Sequence, residues 1–286
     1  MRPIFLIVLS HWLLVGCSVQ PVAPDLERAE ISTEASACIA RLSGTANVRS
    51  HRLNNDGFSI VNWNIQKGKH KNWAGDLQQL HAGPDLLILQ EAPQESDVWD
   101  DLAPAHYRSF AEGFGLMRSA TGVLTMSSVA PLAECQLVAF EPWFGTRKAT
   151  LVTEYALTDT TETLLVVNIH SINFSFGVEH MQKQLRQAAT VIEHHDGPVL
   201  FSGDFNTWRS RRAEVVETIV ERLGLVPLEY EVDHRKRWFG RALDHIYVRG
   251  LRTLHATSME LGSSDHNPMT VQFSYGHQPR GVEAAH

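Results

Sequence analysis

The chain runs to 286 residues, 43% of them hydrophobic and 20% charged, with a formal net charge of −7. That composition excludes an intrinsically disordered chain and is long enough to bury a sizeable core. The acidic balance excludes a protein coated all round with basic surface, although a local basic groove is compatible with it.

In chain order, residues 1–17 read as an export signal. Arg2 precedes an apolar run from Ile4 to Val15, which is shorter than the roughly 20 residues of a membrane span. Leu14-Val15-Gly16-Cys17 is similar to the lipobox of bacterial lipoproteins. Acyl chains on Cys17 would then tether the protein at the periplasmic face of the cell envelope. Residues 18–55, with Pro21 and Pro24, read as a tether carrying one short helix around Asp25 to Arg41. The remaining cysteines are Cys38 and Cys135. A bridge between them stays open, because nothing in the sequence brings them together.

From Phe58 strands and helices alternate. Phe58 to Asn64 is β-rich with a polar end, and Trp73 to His81 has Leu77 and Leu80 at helical spacing before the stop Gly83-Pro84. Asp85 to Gln90 is a continuous apolar run, as expected of a strand covered on both faces. Further strands are predicted at Gly122–Met126, Ala149–Leu157, Thr163–His170, Pro198–Asp204, Ala242–Val248, Leu251–Ser258 and Pro268–Phe273. Helices are predicted over Val178 to about His195 and Arg211 to Leu223, and residues 277–286 read as a flexible tail. The pattern implies an α+β fold with two sheets packed face to face and helices outside.

Polar residues recur where these strands end. Asn64, Glu91, His170, Asp204, Asp244 and Asp265 each stand at or just beyond a strand terminus, where sites are usually built on a rigid scaffold. A carboxylate closing a buried strand is costly unless it is paired or bound to a cation. For one such residue a cap or salt bridge is the simpler account. Together, Glu91, Asp204, Asp244 and Asp265, with the amides of Asn64 and Asn206, form a hard oxygen set suited to Mg2+ or Mn2+. His266, next to Asp265, could act as a general base oriented by Asp244.

Asn62-Trp63-Asn64-Ile65-Gln66, Leu89-Gln90-Glu91, Asn168-Ile169-His170, Gly203-Asp204-Phe205-Asn206 and Ser264-Asp265-His266-Asn267-Pro268 follow one another in this order. The set resembles the motifs of the endonuclease/exonuclease/phosphatase superfamily, with Leu243-Asp244-His245-Ile246-Tyr247-Val248 as its Asp-bearing strand. The resemblance covers about residues 58 to 274 and places the domain at 56–276. It implies a four-layer α/β/β/α sandwich of two mainly antiparallel sheets. It also implies metal ligation by Asn64, Glu91 and Asp265, with Asp204 and Asn206 positioning water and phosphate. His266 with Asp244 would be the base, and His170 would contact the scissile phosphate or protonate the leaving group. Asn173 and Arg147 match phosphate-contacting residues of some members. One departure stands out: the carboxylate that usually orients a histidine at the His170 position has no counterpart near Thr121-Gly122-Val123.

Asp233 to Arg241 carries four Arg or Lys among aromatic neighbours, Arg237 and Trp238 at its centre. Such a segment suits nucleic acid, an anionic lipid headgroup, or nothing more than solvent. Three readings follow: a nuclease first, a phospholipid-headgroup phosphodiesterase second, and a catalytically dead binding module third. A monomer is expected.

Overall fold

The computed structural model describes residues 33–42, 51–81, 83–102, 107–116 and 119–276. The export signal, most of the tether and the tail read from sequence lie outside the described residues.

Among these residues two large sheets face each other. The first orders its strands β1 (Arg52–Leu53), β7 (Arg147–Leu157), β8 (Thr163–His170), β9 (Val199–Asp204), β13 (Asp244–Arg249) and β10 (Val226–Pro227), with β6 (Ala133–Phe140) also on β7. The second orders β14 (Arg252–Ser258), β15 (Met269–Ser274), β2 (Phe58–Asn64), β3 (Leu86–Pro93), β5 (Ser119–Ser127) and β4 (Tyr107–Leu116). A small ribbon pairs β11 (Arg237–Trp238) with β12 (Arg241–Ala242). Pairing is mainly antiparallel, with parallel neighbours β2/β3, β8/β9 and β1/β7.

Strand alternation builds the layers. Ile60, Leu86, Ile88, Leu164, Val166, Leu200, Ile246 and Val271 meet between the sheets. Their neighbours Val61, Trp63, Leu87 and Leu89 face the other way, against α2 (Trp73–His81) and α3 (Asp97–Leu102). Leu165, Val167 and Phe201 likewise face outward, toward α4 (Glu179–Glu193) and α5 (Ser210–Arg222). The four-layer sandwich expected from the resemblance is the observed fold.

Several elements go beyond the sequence reading. The short helix expected in the tether is α1 (Thr33–Ile39), whereas β1, β4, β6 and α3 were not predicted. Each is short or polar, and each is held by tertiary pairing more than by its own pattern. Cys38 and Cys135 form a disulfide, Cα atoms 5.3 Å apart across a sequence separation of 97. That bridge pins α1 to β6, a proximity no local pattern could announce.

Candidate active site

The parallel and antiparallel pairings decide where the polar strand ends go. β2 and β3 run parallel, so Asn64 and Gln90 lie side by side. β8 and β9 run parallel with His170 opposite Asp204, and antiparallel β13 begins with Asp244 opposite the same Asp204. Antiparallel β15 brings the preceding turn, with Asp265 and His266, to the end of β2. One edge of the sandwich therefore collects residues from six segments.

The inward-facing positions grade toward this edge. Apolar residues deep in the interface give way to Asn62, Gln90, Asn168 and Ser202, all buried. Gln90 Nε2 donates to Asn168 Oδ1 at 2.8 Å and to Asn62 Oδ1 at 3.0 Å, and Ser202 Oγ donates to Asn62 Oδ1 at 2.8 Å. This polar clamp ties the two sheets just beneath the site, and every bond in it is buried, so each resists fraying. The next inward positions along the strands are Asn64, His170 and Asp204.

Glu91 breaks the alternation. Strict pleating would turn it away from Gln90, but the β3/β5 register shifts between Leu89 and Ala92 and Glu91 adopts φ 51°. This irregularity re-aims the side chain into the site, a common use of a bulge beside a functional centre. Gly203 has its own constraint: a Cβ there would lie 2.0 Å from the Ile169 carbonyl oxygen. Only glycine lets β9 approach β8 so closely.

Asp204 is the hub. Its Oδ2 accepts from Asn64 Nδ2 at 3.1 Å and its Oδ1 from the Asn206 backbone N–H at 2.9 Å. The Nε2 atoms of His170 and His266 lie 3.6 and 3.9 Å from Oδ2. Burial raises the Asp204 pKa, and the charge of His266 opposes that rise. His266 Nδ1 meets Asp244 Oδ2 at 2.7 Å. Burial pushes the His266 imidazole down, but Asp244 and Asp204 outweigh it and carry its pKa up to about 10. Its backbone is fixed as well, because Trp63 Nε1 donates to the His266 carbonyl at 3.1 Å.

The His170 side is built differently. Lys148 Nζ lies 2.6 Å from His170 Nε2 and 4.0 Å from Glu141 Oε1. The Glu91 carboxylate is 3.8 Å from His170 and 3.9 Å from Lys67. Burial, then the charge of Lys148, holds the His170 pKa well below its ordinary value. Burial also lowers that of Lys148, against the pull of Asp204 and Glu91. No carboxylate orients this ring through a short contact among the described residues, as the departure at Thr121-Gly122-Val123 implies; a lysine stands beside it instead. A cleft of about 200 Å³ opens here, with Glu91, His170, Lys148, Phe114, Phe144 and Phe174 on its walls.

The remaining expectations divide. Asn206, at φ 52°, is buried and bonded through Nδ2 to the Ser171 carbonyl at 3.2 Å. Asn173 Oδ1 accepts from Trp208 Nε1 at 2.9 Å, beside the cluster. Asp265 is exposed, takes a 2.8 Å bond from Gln66 Nε2, and lies 4.0 Å from His266 Nε2. Arg147 borders the cleft but pairs with Glu112 at 3.8 Å, whereas its neighbour Lys148 points to the centre. Asp233 takes the Arg237 guanidinium at 2.6 Å, and Arg237 borders another hollow, shared with Glu217 and Tyr247. Trp238 stands exposed on the ribbon beside it. Lys148 and Glu141 are the residues that sequence reasoning missed. Every residue of β7 from Ala149 to Leu157 is buried, so no one-face pattern in the sequence singles out Lys148 over Arg147.

Two cation placements deserve comparison. Asp204, Asp244 and His266 offer ligand atoms within 4.8 Å of one another. A cation there would compete with the Asp244–His266 hydrogen bond. Glu91 accepts no hydrogen bond among the described residues and is partly open to solvent, so its oxygens are free for a hydrated cation. A cation on the Glu91 side leaves the Asp244–His266 hydrogen bond intact.

A family-wide profile described as the Endonuclease/Exonuclease/phosphatase family matches residues 61–266. A UPF0294 protein of Vibrio vulnificus is 35% identical over 219 residues, 76% of this chain and 77% of that protein. The endonuclease/exonuclease/phosphatase structure from Beutenbergia cavernae superposes with a TM-score of 0.62 at 15% identity, covering 77% of this chain and 72% of that one. D. rerio TDP2, solved with a single-strand DNA product, gives 0.56 at 17% identity over 76% of this chain and 99% of its own.

Proposed function

The chain belongs to the endonuclease/exonuclease/phosphatase family, whose members hydrolyse phosphoester bonds, and from that premise we propose that it is a divalent-cation-dependent phosphodiesterase. The observation that carries this reading is the convergence on Asp204 of Asn64, His170 and the Asp244–His266 pair.

Glu91 and Asn64, with Asp265 at the rim, would hold Mg2+ or Mn2+. Bound there, the ion would supply Lewis-acid polarisation of a phosphoryl oxygen, and its positive charge would lower the His266 pKa. The protein groups then divide the work. Asp244 keeps His266 Nδ1 occupied, so Nε2 is the nitrogen that accepts the proton of the attacking water. Asp204, fixed by Asn64 and Asn206, orients that water for in-line attack. The water oxygen bonds to phosphorus, the P–O bond to the leaving alcohol breaks, and solvent water returns a proton to that alcohol. Lys148 carries positive charge on the far side, where it stabilises charge on the phosphoryl oxygens and leaving oxygen. His170, held neutral beside it, contributes a hydrogen bond and not a charge.

The export signal expected from residues 1–17 and the Cys38–Cys135 disulfide both support a location in the oxidising cell envelope. At phosphorus, a nucleic acid and a lipid headgroup demand the same chemistry. They differ in what the rim must bind. D. rerio TDP2, with its single-strand DNA product, lends weight to the nuclease reading through fold alone.

The test is turnover of bis-p-nitrophenyl phosphate by the full chain. EDTA should abolish it, and Mg2+ or Mn2+ should restore it. Full turnover by both Asp204→Ala and His266→Ala would overturn the mechanism.

A further inference from the structure

The exposed Phe and Trp side chains are not scattered. Among the described residues, the Phe and Trp side chains that stand out as exposed are between 56% and 78% accessible. Phe140 ends β6, and Trp143 and Phe144 form the tip of the turn into β7. Phe174 and Phe176 lie on the connection from β8 to α4, and Trp238 and Phe239 top the β11–β12 ribbon that leads into β13. The register puts the end of β6, the start of β7, the end of β8 and the start of β13 on one sheet edge. It is the edge that bears the site.

These tips are held in place. Glu141, itself buried, accepts the N–H groups of Asn173 and Phe174 at 2.7 and 2.9 Å, which joins the two neighbouring loops. The β6–β7 turn closes on itself, with Glu141 N–H bonded to the Thr146 carbonyl at 2.8 Å. Across the loops, Trp143 and Phe176 rings lie 4.2 Å apart and Phe144 and Phe174 6.1 Å apart. On the ribbon, Phe239 is displayed at φ 49°, a conformation a bulky residue rarely adopts. Apolar surface fixed outward and clustered like this marks an interaction face.

We propose that this edge docks on a phospholipid bilayer, its aromatic tips entering the interface, and presents headgroup phosphodiesters to the site. The substrate part rests on the phosphodiesterase reading; the docking part does not. Two observations favour lipid over a polyanionic strand. Pro142 to Gly145 and Asn173 to Gly177 carry no charged side chain, whereas a nucleic-acid groove needs cations along the backbone. The chain also has a net charge of −7, which suits a zwitterionic surface better than a polyanion. The expected lipid attachment at Cys17 gives the bilayer its place. The aromatic tips set the domain's orientation on it.

The test compares the full chain with its Trp143→Ser/Phe176→Ser variant on vesicles of phosphatidylcholine and phosphatidylethanolamine. Tryptophan fluorescence of the parent should be quenched by phosphatidylcholine brominated on its acyl chains, and the variant should lose part of that quenching. Headgroup release from the vesicles should fall by about tenfold in the variant, while kcat on soluble bis-p-nitrophenyl phosphate stays unchanged. Equal quenching and equal headgroup release in the two proteins would overturn the proposal. So would quenching of Trp143 by a single-stranded oligonucleotide with none by brominated lipid. Lipid quenching without turnover of any diester would sink the phosphodiesterase reading and leave docking standing.

Discussion

Two imidazoles face the same carboxylate, Asp204, from opposite sides, and their surroundings drive them apart. His266 sits against Asp244 and is raised to about 10. His170 sits against Lys148 and is held well below its ordinary value. Both are buried by similar strand ends, so burial alone separates nothing. What separates them is the sign of the nearest charge. A site with one imidazole poised to exchange a proton and another kept neutral can assign base and hydrogen-bond roles without changing residue type.

The largest test of this contrast is to break the anionic side. Asp244→Asn should lower kcat by about 10³-fold with little change in KM, because Asp244 acts through His266 and not on substrate. A drop confined to KM would argue that the pair binds and does not exchange protons.

Breaking the cationic side should cost less. Lys148→Met should lower kcat by about 10²-fold, with Lys148→Arg recovering part of it. The same change removes the neighbouring charge that depresses His170, so the His170 ring should titrate at higher pH by NMR. An unmoved titration would detach Lys148 from the imidazole.

Stability against pH separates the two rings in cation-free protein. The His266 pKa lies above its unfolded value, so its contribution is complete below about pH 6.5 and is lost as pH rises through about 10. The His170 pKa lies below its unfolded value, so its contribution is present above about pH 6.5 and lost as pH falls. Urea unfolding in EDTA should show both limbs. Asp244→Asn should flatten the alkaline limb and His170→Gln the acid limb. If each variant kept both limbs, the two assignments would fail together.

The smallest effect on activity should come from the disulfide. Cys38→Ser/Cys135→Ser should cost about 3 kcal/mol of stability yet leave kcat within twofold of the parent, since α1 and β6 pack on the outer face. An equal loss of activity would mean that α1 supports the site directly.

Much of the site could be read before the fold. A polar residue after an apolar run signals a strand end, and Asn64, His170 and Asp204 were found that way. Their inward aim follows from the two-residue period of a strand, which is local. Glu91 was found by its chemistry, but its aim into the site depends on a register shift against β5, a strand more than 25 residues away in sequence. Lys148 was passed over for Arg147 because adjacent residues on a strand face opposite ways, and only the pairing of β7 with β8 says which way is inward.

The chain's own pattern therefore pointed to the family and to the residue types gathered at the candidate site. Side-chain type, strand period and motif order are local properties, readable one segment at a time. Register, bulges, the Cys38–Cys135 bridge and the gathering of aromatic tips on one edge are agreements between segments far apart. They arise only when the sheets pair and a one-residue slip becomes too costly for a buried face to permit. Which imidazole is charged belongs to the same class. It is decided by neighbours that only the folded chain supplies.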